Sequence, residues 1–169
     1  MSVLTLAEAK AHLNITGSAN DSELQTFIDA AEAAIAQRVG PLTSTATTVR
    51  VTGYTDALVL SVTPVVSLTS VTPVDGTALT VGDLYVSAGL IRYKSGATFG
   101  ATLYDVVYNA GRTSVPSDLL NGLKELVRHL WRSQRGSARP GGDAPSVPAF
   151  AIPYFVAELI GPHVQGGFA

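Results

Sequence analysis

The sequence predicts an α+β fold: a small helical bundle with an inserted antiparallel β-meander and a C-terminal arm. Apolar residues recur at spacings of three and four before residue 40 and again after residue 115. Residues 42–108 are instead rich in Thr, Val, Gly and Pro, with short alternating runs. The first pattern indicates helices and the second indicates strands. Because the chain has 169 residues, we expect a single domain, 1–169, with one core.

Two N-terminal helices are predicted within a helical core formed by residues 1–40 and 114–135. Thr5 and Glu8 have the spacing of a capping box, which satisfies free N–H groups where a helix begins. Asn20 or Asp21 caps a second helix, which Gly40-Pro41 ends. Its predicted buried stripe is Leu24, Phe27, Ile28, Ala31, Ile35 and Val39.

The β-rich insertion, residues 42–108, is predicted to be an antiparallel meander. Asp75-Gly76 is a good tight-turn signal and Ala88-Gly89 a weaker one. In the final strand, Tyr104, Val106 and Tyr108 alternate with their neighbours at period two. The predicted strands are Thr48–Val51, Leu58–Val62, Val65–Val71, Ala78–Val81, Tyr85-Val86, Leu90–Tyr93 and Leu103–Tyr108.

The third and central helix follows directly. Pro116 suits its first turn, where a missing N–H costs nothing. The segment is the longest strongly amphipathic one in the chain, so we expect it to organise the helical core. Its apolar stripe is Leu119, Leu120, Leu123, Leu126, Val127, Leu130 and Trp131.

The C-terminal arm, residues 136–169, begins with a stretch rich in Gly, Pro and Ala that we expect to be flexible in isolation. Pro153 to Ile160 then predicts a short helix. Its apolar residues need cover, so the helix either folds back on the core or binds another subunit. We predict partner binding by Tyr154, Phe155, Leu159 and Ile160.

Composition argues against an enzyme. The chain has no cysteine, and its three histidines lack metal-ligand spacing. It contains no phosphate-binding loop or nucleophile elbow. We therefore expect no catalytic centre, cofactor or metal. We also expect no signal peptide and no membrane segment. Charged residues make up 14% of the chain, against roughly 25% typically, so oligomerisation is expected to cover part of the surface.

The one charged feature is basic. Arg128, Arg132 and Arg135 are spaced four and three apart, so they line one helical face, and Arg139 follows. Such a face is either solvated or binds an acidic protein surface or a DNA backbone. The net charge of −2 favours a protein partner.

The order of these segments resembles the head–tail connector (adaptor, or head-completion) proteins of long-tailed double-stranded DNA bacteriophages. The resemblance covers nearly the whole chain, and its most specific part runs from Val106 to Trp131. The residues that carry it are Arg38-Val39-Gly40-Pro41, the strand after Pro64, Leu84-Tyr85-Val86, and Val106 to Gly111 before the central helix.

The resemblance implies a structural role in the virion neck, after synthesis in the host cytoplasm. Family members form a homo-oligomeric ring, usually of twelve copies, beneath the portal protein. The ring extends the channel through which packaged DNA passes without sequence-specific binding, and it docks a stopper or tail-completion protein. Two alternatives remain: a tail-terminator or stopper ring protein, and a small DNA-binding regulatory protein.

Overall fold

The computed structural model describes residues 2–134 and 152–164, and the chain divides into two compact units. The helical unit combines Met1–Val39 with Val115–Ala169, and the sheet unit is Gly40–Ser114. These limits lie close to those predicted for the helical core and the insertion. Within the sheet unit the strands bury a hydrophobic cluster of their own, and the single domain with one core stays a prediction.

The helical unit contains four α-helices among its described residues. They are α1 (Leu6–Leu13), α2 (Asp21–Val39), α3 (Ser117–Gln134) and α4 (Tyr154–Ile160), and a 3-10 turn, Gly161–His163, follows α4. In the described parts of the chain, no helix combines the length and apolar character needed to cross a bilayer.

The predicted capping box is present at the start of α1. The Thr5 hydroxyl accepts a hydrogen bond from the Glu8 N–H at 3.2 Å, and the Glu8 carboxylate accepts one from the Thr5 N–H at 2.9 Å. The Thr5 hydroxyl also donates to the Glu8 carboxylate at 2.6 Å, and this bond, together with the one from the Thr5 N–H, lowers the pKa of Glu8. The helix ends where Asn14 adopts a left-handed conformation with φ of 57°. Local hydrogen bonding therefore sets both ends of α1.

The central helix α3 buries one face, as its spacing predicts. The buried residues of this face are Leu119, Gly122, Leu123, Leu126, Val127 and Leu130. Leu120 and Trp131 lie at the edge of the stripe and are only partly buried. The Trp131 ring packs edge-on against Phe27 of α2, with 6.0 Å between ring centroids. Thus α3 contacts α2 along its apolar face, and it also contacts α1 and α4.

The sheet unit contains two three-stranded antiparallel sheets, so the predicted α+β class is confirmed. One sheet has the order β1-β6-β3 and the other β2-β5-β4. The strands are β1 (Thr45–Thr52), β2 (Ala57–Val59), β3 (Val65–Pro73), β4 (Leu84–Ser87), β5 (Leu90–Tyr93) and β6 (Leu103–Ala110).

Strand order differs from that of a simple meander, in which strands adjacent in sequence pair. The last strand, β6, lies between β1 and β3. Its residues Tyr104, Val106, Tyr108 and Ala110 are buried, and the residues between them are more exposed. A strand with an apolar face and a partner on each side suits the middle of a sheet. The predicted alternation in β6 is confirmed.

One predicted turn is present, and one predicted strand is not. Ala88 and Gly89 both have positive φ, 50° and 78°, and join Ser87 to Leu90 in a two-residue hairpin. Positive φ at both positions is typical of a type I′ turn. By contrast, the predicted strand Ala78–Val81 is wrong: it is irregular and ends in a 3-10 turn, Val81–Asp83. Only its Leu79 N–H bonds back to β3, at the Val71 carbonyl.

A buried hydroxyl fixes a loop against β6. The Tyr108 hydroxyl donates to the Val62 carbonyl at 3.0 Å and accepts from the Val62 N–H at 3.3 Å. Burial raises the pKa of Tyr108. Because both backbone groups of Val62 are satisfied by one side chain, no buried polar atom is left without a partner at this point.

An ion pair crosses the exposed face of the same sheet. Arg50 and Asp105 are directly opposite in β1 and β6, and their side chains form two hydrogen bonds, of 2.7 and 2.8 Å. The bidentate contact raises the pKa of Arg50 and lowers that of Asp105. It favours the observed register, since a one-residue slip would turn the two side chains to opposite faces.

The burial of α3 predicts a large effect of cavity formation. Leu123→Ala or Leu126→Ala is expected to lower the free energy of unfolding by about 2–5 kcal/mol, because each loses transfer free energy and leaves a void. Leu103→Ala is the control, since Leu103 is 40% exposed. Denaturant unfolding measures all three variants. Equal stability of the Leu123 and Leu103 variants would contradict the role of α3 as the core helix.

Candidate partner-binding surface

An open groove of about 370 Å³ lies in the helical unit, between the C-terminal half of α3 and the first turn of α4. We call it the α3/α4 groove. It brings together two of the predicted arginines and one of the predicted apolar residues. Its lining residues are Glu125, Arg128, His129, Arg132, Ser133 and Phe155.

Helix α4 forms one wall of the groove because it packs on α3. Val156 and Ile160, four residues apart, are fully buried. Gly122 of α3 makes the close approach possible: a Cβ atom added there would lie 3.1 Å from the Cγ2 atom of Ile160. Of the two arrangements considered for this helix, the structure has the one that folds back on the helical core.

The four apolar residues predicted for partner binding therefore have different surroundings. Ile160 is buried within its own chain, and Leu159 is partly buried. Tyr154 is 79% exposed and Phe155 is 47% exposed. Val156, which sequence reasoning missed, is fully buried instead. Its spacing of four from Ile160 was the available signal. Only Tyr154 and Phe155 offer large exposed apolar surfaces here.

The arginines also differ from one another. Arg128 lies 2.5 Å from the Glu125 carboxylate, which His12 of α1 approaches to 3.3 Å. Arg132 is exposed and forms no ion pair with any residue in the described segments. Arg135 and Arg139 lie outside the described residues. In the groove, therefore, Glu125 neutralises Arg128, whereas no described residue neutralises Arg132.

A second ion pair connects the region after α4 to the start of α3. The His163 Nε2 atom lies 2.7 Å from the Asp118 carboxylate. This contact lowers the pKa of Asp118, assisted by the Leu119 N–H. A carboxyl with a lowered pKa in the folded state stabilises that state above its ordinary titration range. Its contribution is lost as the pH falls through the lowered value.

The side chains of the groove are suited to binding through charge and apolar contact. Within residues 2–134 and 152–164, no three His, Asp or Glu side chains are grouped so that they could hold a metal ion. The groove contains arginines, one carboxylate, one imidazole and one aromatic ring. Side chains of these types are suited to binding anionic and apolar groups.

The packing of α4 predicts that a large side chain at Gly122 will displace it. Gly122→Leu is expected to overlap Ile160 and to reduce hydrogen-exchange protection of residues 154–160. Gly17→Leu is the matched control, because a Cβ atom at Gly17 meets no atom within 4 Å. Unchanged protection of residues 154–160 in the Gly122 variant would contradict the docked position of α4.

Comparisons with known proteins give one matching family and a set of solved structures with a similar fold. A family model described as "Head completion protein" matches residues 2–164. No curated protein gives a significant match. Among solved structures, a chain from the neck of an empty gene transfer agent (GTA) particle, computed with C6 symmetry, has a TM-score of 0.68 and 23% identity. The alignment covers 99% of this chain and 92% of that one.

Two further solved chains are similar. One is from the neck of the native GTA particle computed with C12 symmetry, with a TM-score of 0.65, 22% identity and coverage of 99% and 91%. The other is from the native GTA virion, with a TM-score of 0.63, 24% identity and coverage of 99% and 92%. At these identities the likeness shows a shared fold. The family match, which spans nearly the whole chain, shows that this protein belongs to the head completion protein family.

Proposed function

We propose that this protein is a head–tail connector of a phage-like virion, forming a ring in the neck beneath the portal protein. The observation that carries the proposal is the family match over residues 2–164. It is supported by a fold shared with chains from GTA necks computed with C6 and C12 symmetry. In a ring each copy contacts two neighbours, and these contacts cover part of its surface. The low content of charged residues, 14%, agrees with such coverage.

In this role the ring continues the DNA channel from the portal and offers its far side to a stopper or tail-completion protein. Its work is structural, and no catalytic step is required. Packaged DNA passes through without sequence-specific contacts, as suits a chain with a net charge of −2. The exposed Arg132, Tyr154 and Phe155 are the residues of the α3/α4 groove and its rim that we assign to contacts with other neck proteins.

A joining assay tests the proposal. DNA-filled heads made without this protein should accept tails only after the purified protein is added. Electron microscopy of the mixture counts joined particles. If the heads join tails equally well without the protein, the proposed function is wrong.

Within this assay, the arginine face is expected to matter for joining more than for folding. Replacing Arg128, Arg132 and Arg135 by Gln should lower the free energy of unfolding mainly through Arg128, whose partner Glu125 is 14% exposed, because the exposed Arg132 contributes little. Joining should fall several-fold, and raised salt should have the same effect on the parent protein. The control is Arg38→Gln, an exposed arginine on α2. Equal joining by the triple variant and the control would reduce the arginine face to a solvated surface.

A further inference from the structure

We infer that the α3/α4 groove binds an acidic segment of a different protein, with carboxylates placed beside an apolar side chain. This deepens the proposed function by naming the chemistry of a partner, and it rests on that function only for where the partner is found. Three features of the molecule support it: the charge of the groove, the exposed ring in the groove, and the engagement of this chain's own carboxylates.

The charge of the groove favours an anion. Arg128 is paired with Glu125, so these two largely cancel. Arg132 adds a positive charge that no carboxylate of the described residues neutralises. A guanidinium presents planar donors that match a carboxylate in two-point hydrogen bonding. The position of Arg132 in the groove therefore specifies a carboxylate on the occupant.

Phe155 supplies the apolar half of the site. Its ring lines the groove and is 47% exposed, although the neighbouring Val156 is fully buried. Because Val156 and Ile160 hold α4 in place, Phe155 is not needed to dock the helix. An aromatic ring beside an arginine is typical of residues that contribute most to binding in protein interfaces. We therefore expect an apolar side chain next to the carboxylate of the occupant.

A buried polar atom at the groove adds a third feature. The Nε2 atom of His129 is buried and has no hydrogen-bond partner among residues 2–134 and 152–164. His129 also lines the groove. A buried polar atom without a partner is unfavourable, and one that lies beside a groove gains a partner when a polar group binds there. A backbone group of the occupant suits this atom in either tautomer, because each peptide unit carries both a donor and an acceptor.

A second copy of the chain is a poorer occupant, because most of its carboxylates are already engaged. Glu8 caps α1, and Glu32 accepts hydrogen bonds from the N–H groups of Val3 and Leu4. Several others are held in ion pairs within the chain, namely Asp21, Asp56, Asp105, Asp118 and Glu125. The carboxylates of an acidic segment in another protein are not held by these contacts.

Duplex DNA also fits less well. The net charge of the chain is −2, which disfavours an extended polyanion. Phosphate backbones are bound by extended sets of cations, whereas this groove offers a single unneutralised arginine among the described residues. A peptide carboxylate beside an apolar side chain uses every feature of the groove.

The test is an NMR titration of the full chain with a short peptide of glutamates around one leucine. The same peptide with glutamine in place of glutamate is the charge control. We expect chemical-shift changes at Arg132, Ser133 and Phe155 with the acidic peptide.

Arg132→Gln should weaken binding about tenfold, the effect of losing one charge-assisted hydrogen-bonded contact. Phe155→Ala should weaken it several-fold, and Arg38→Gln should not change it.

Four results would overturn the inference. They are equal binding of the glutamine peptide, shifts confined to other surfaces, unchanged affinity in Arg132→Gln, and tighter binding of duplex DNA at the same residues. Shifts at the groove that appear on raising the protein concentration alone would assign it to a second copy instead, which also contradicts the inference. Since no heads or tails are present, a failed titration is separate from a failed joining assay.

Discussion

The helical unit depends on the burial of one face of α3. This face contacts α2 through its Leu and Val residues and accepts α4 at Gly122, while α1 also contacts the helix. In folded proteins, tertiary packing of an apolar face provides more of a helix's stability than intrinsic helix propensity does. Charged residues lie on the opposite side of α3. Arg128 and Arg132 are therefore close together near the C-terminal end of the helix. The same packing that forms the core therefore creates the groove.

The sheet unit has a similar organisation around β6. That strand pairs with β1 on one side and β3 on the other, and its alternate residues form much of the buried cluster. In sequence β6 directly precedes α3, so residues 103–134 contain the organising element of each unit. Both elements have strong periodic patterns, period two in the strand and about 3.6 in the helix. This is why the most specific part of the family resemblance falls in the same region.

The features predicted correctly from sequence depend on neighbours along the chain. The Thr5–Glu8 capping box, the stripe of α3 and the alternation in β6 are local, and all three are present. The position of β6 in its sheet is not local, because pairing partners far apart in sequence determine it. Apolar content alone does not determine which face of α4 is buried, because helical phase decides it. Val156 and Ile160 share the face that Gly122 accommodates, while Tyr154 and Phe155 do not.

The central claim is that copies of this chain form a ring in the neck between head and tail. Electron cryomicroscopy of intact particles, with the protein located by fitting the helical and sheet units into the density, tests it most directly. The account predicts a ring of this fold around the DNA channel, next to the portal, with another protein seated in the α3/α4 groove. A neck map without this fold, or with the protein found only elsewhere in the particle, would contradict it.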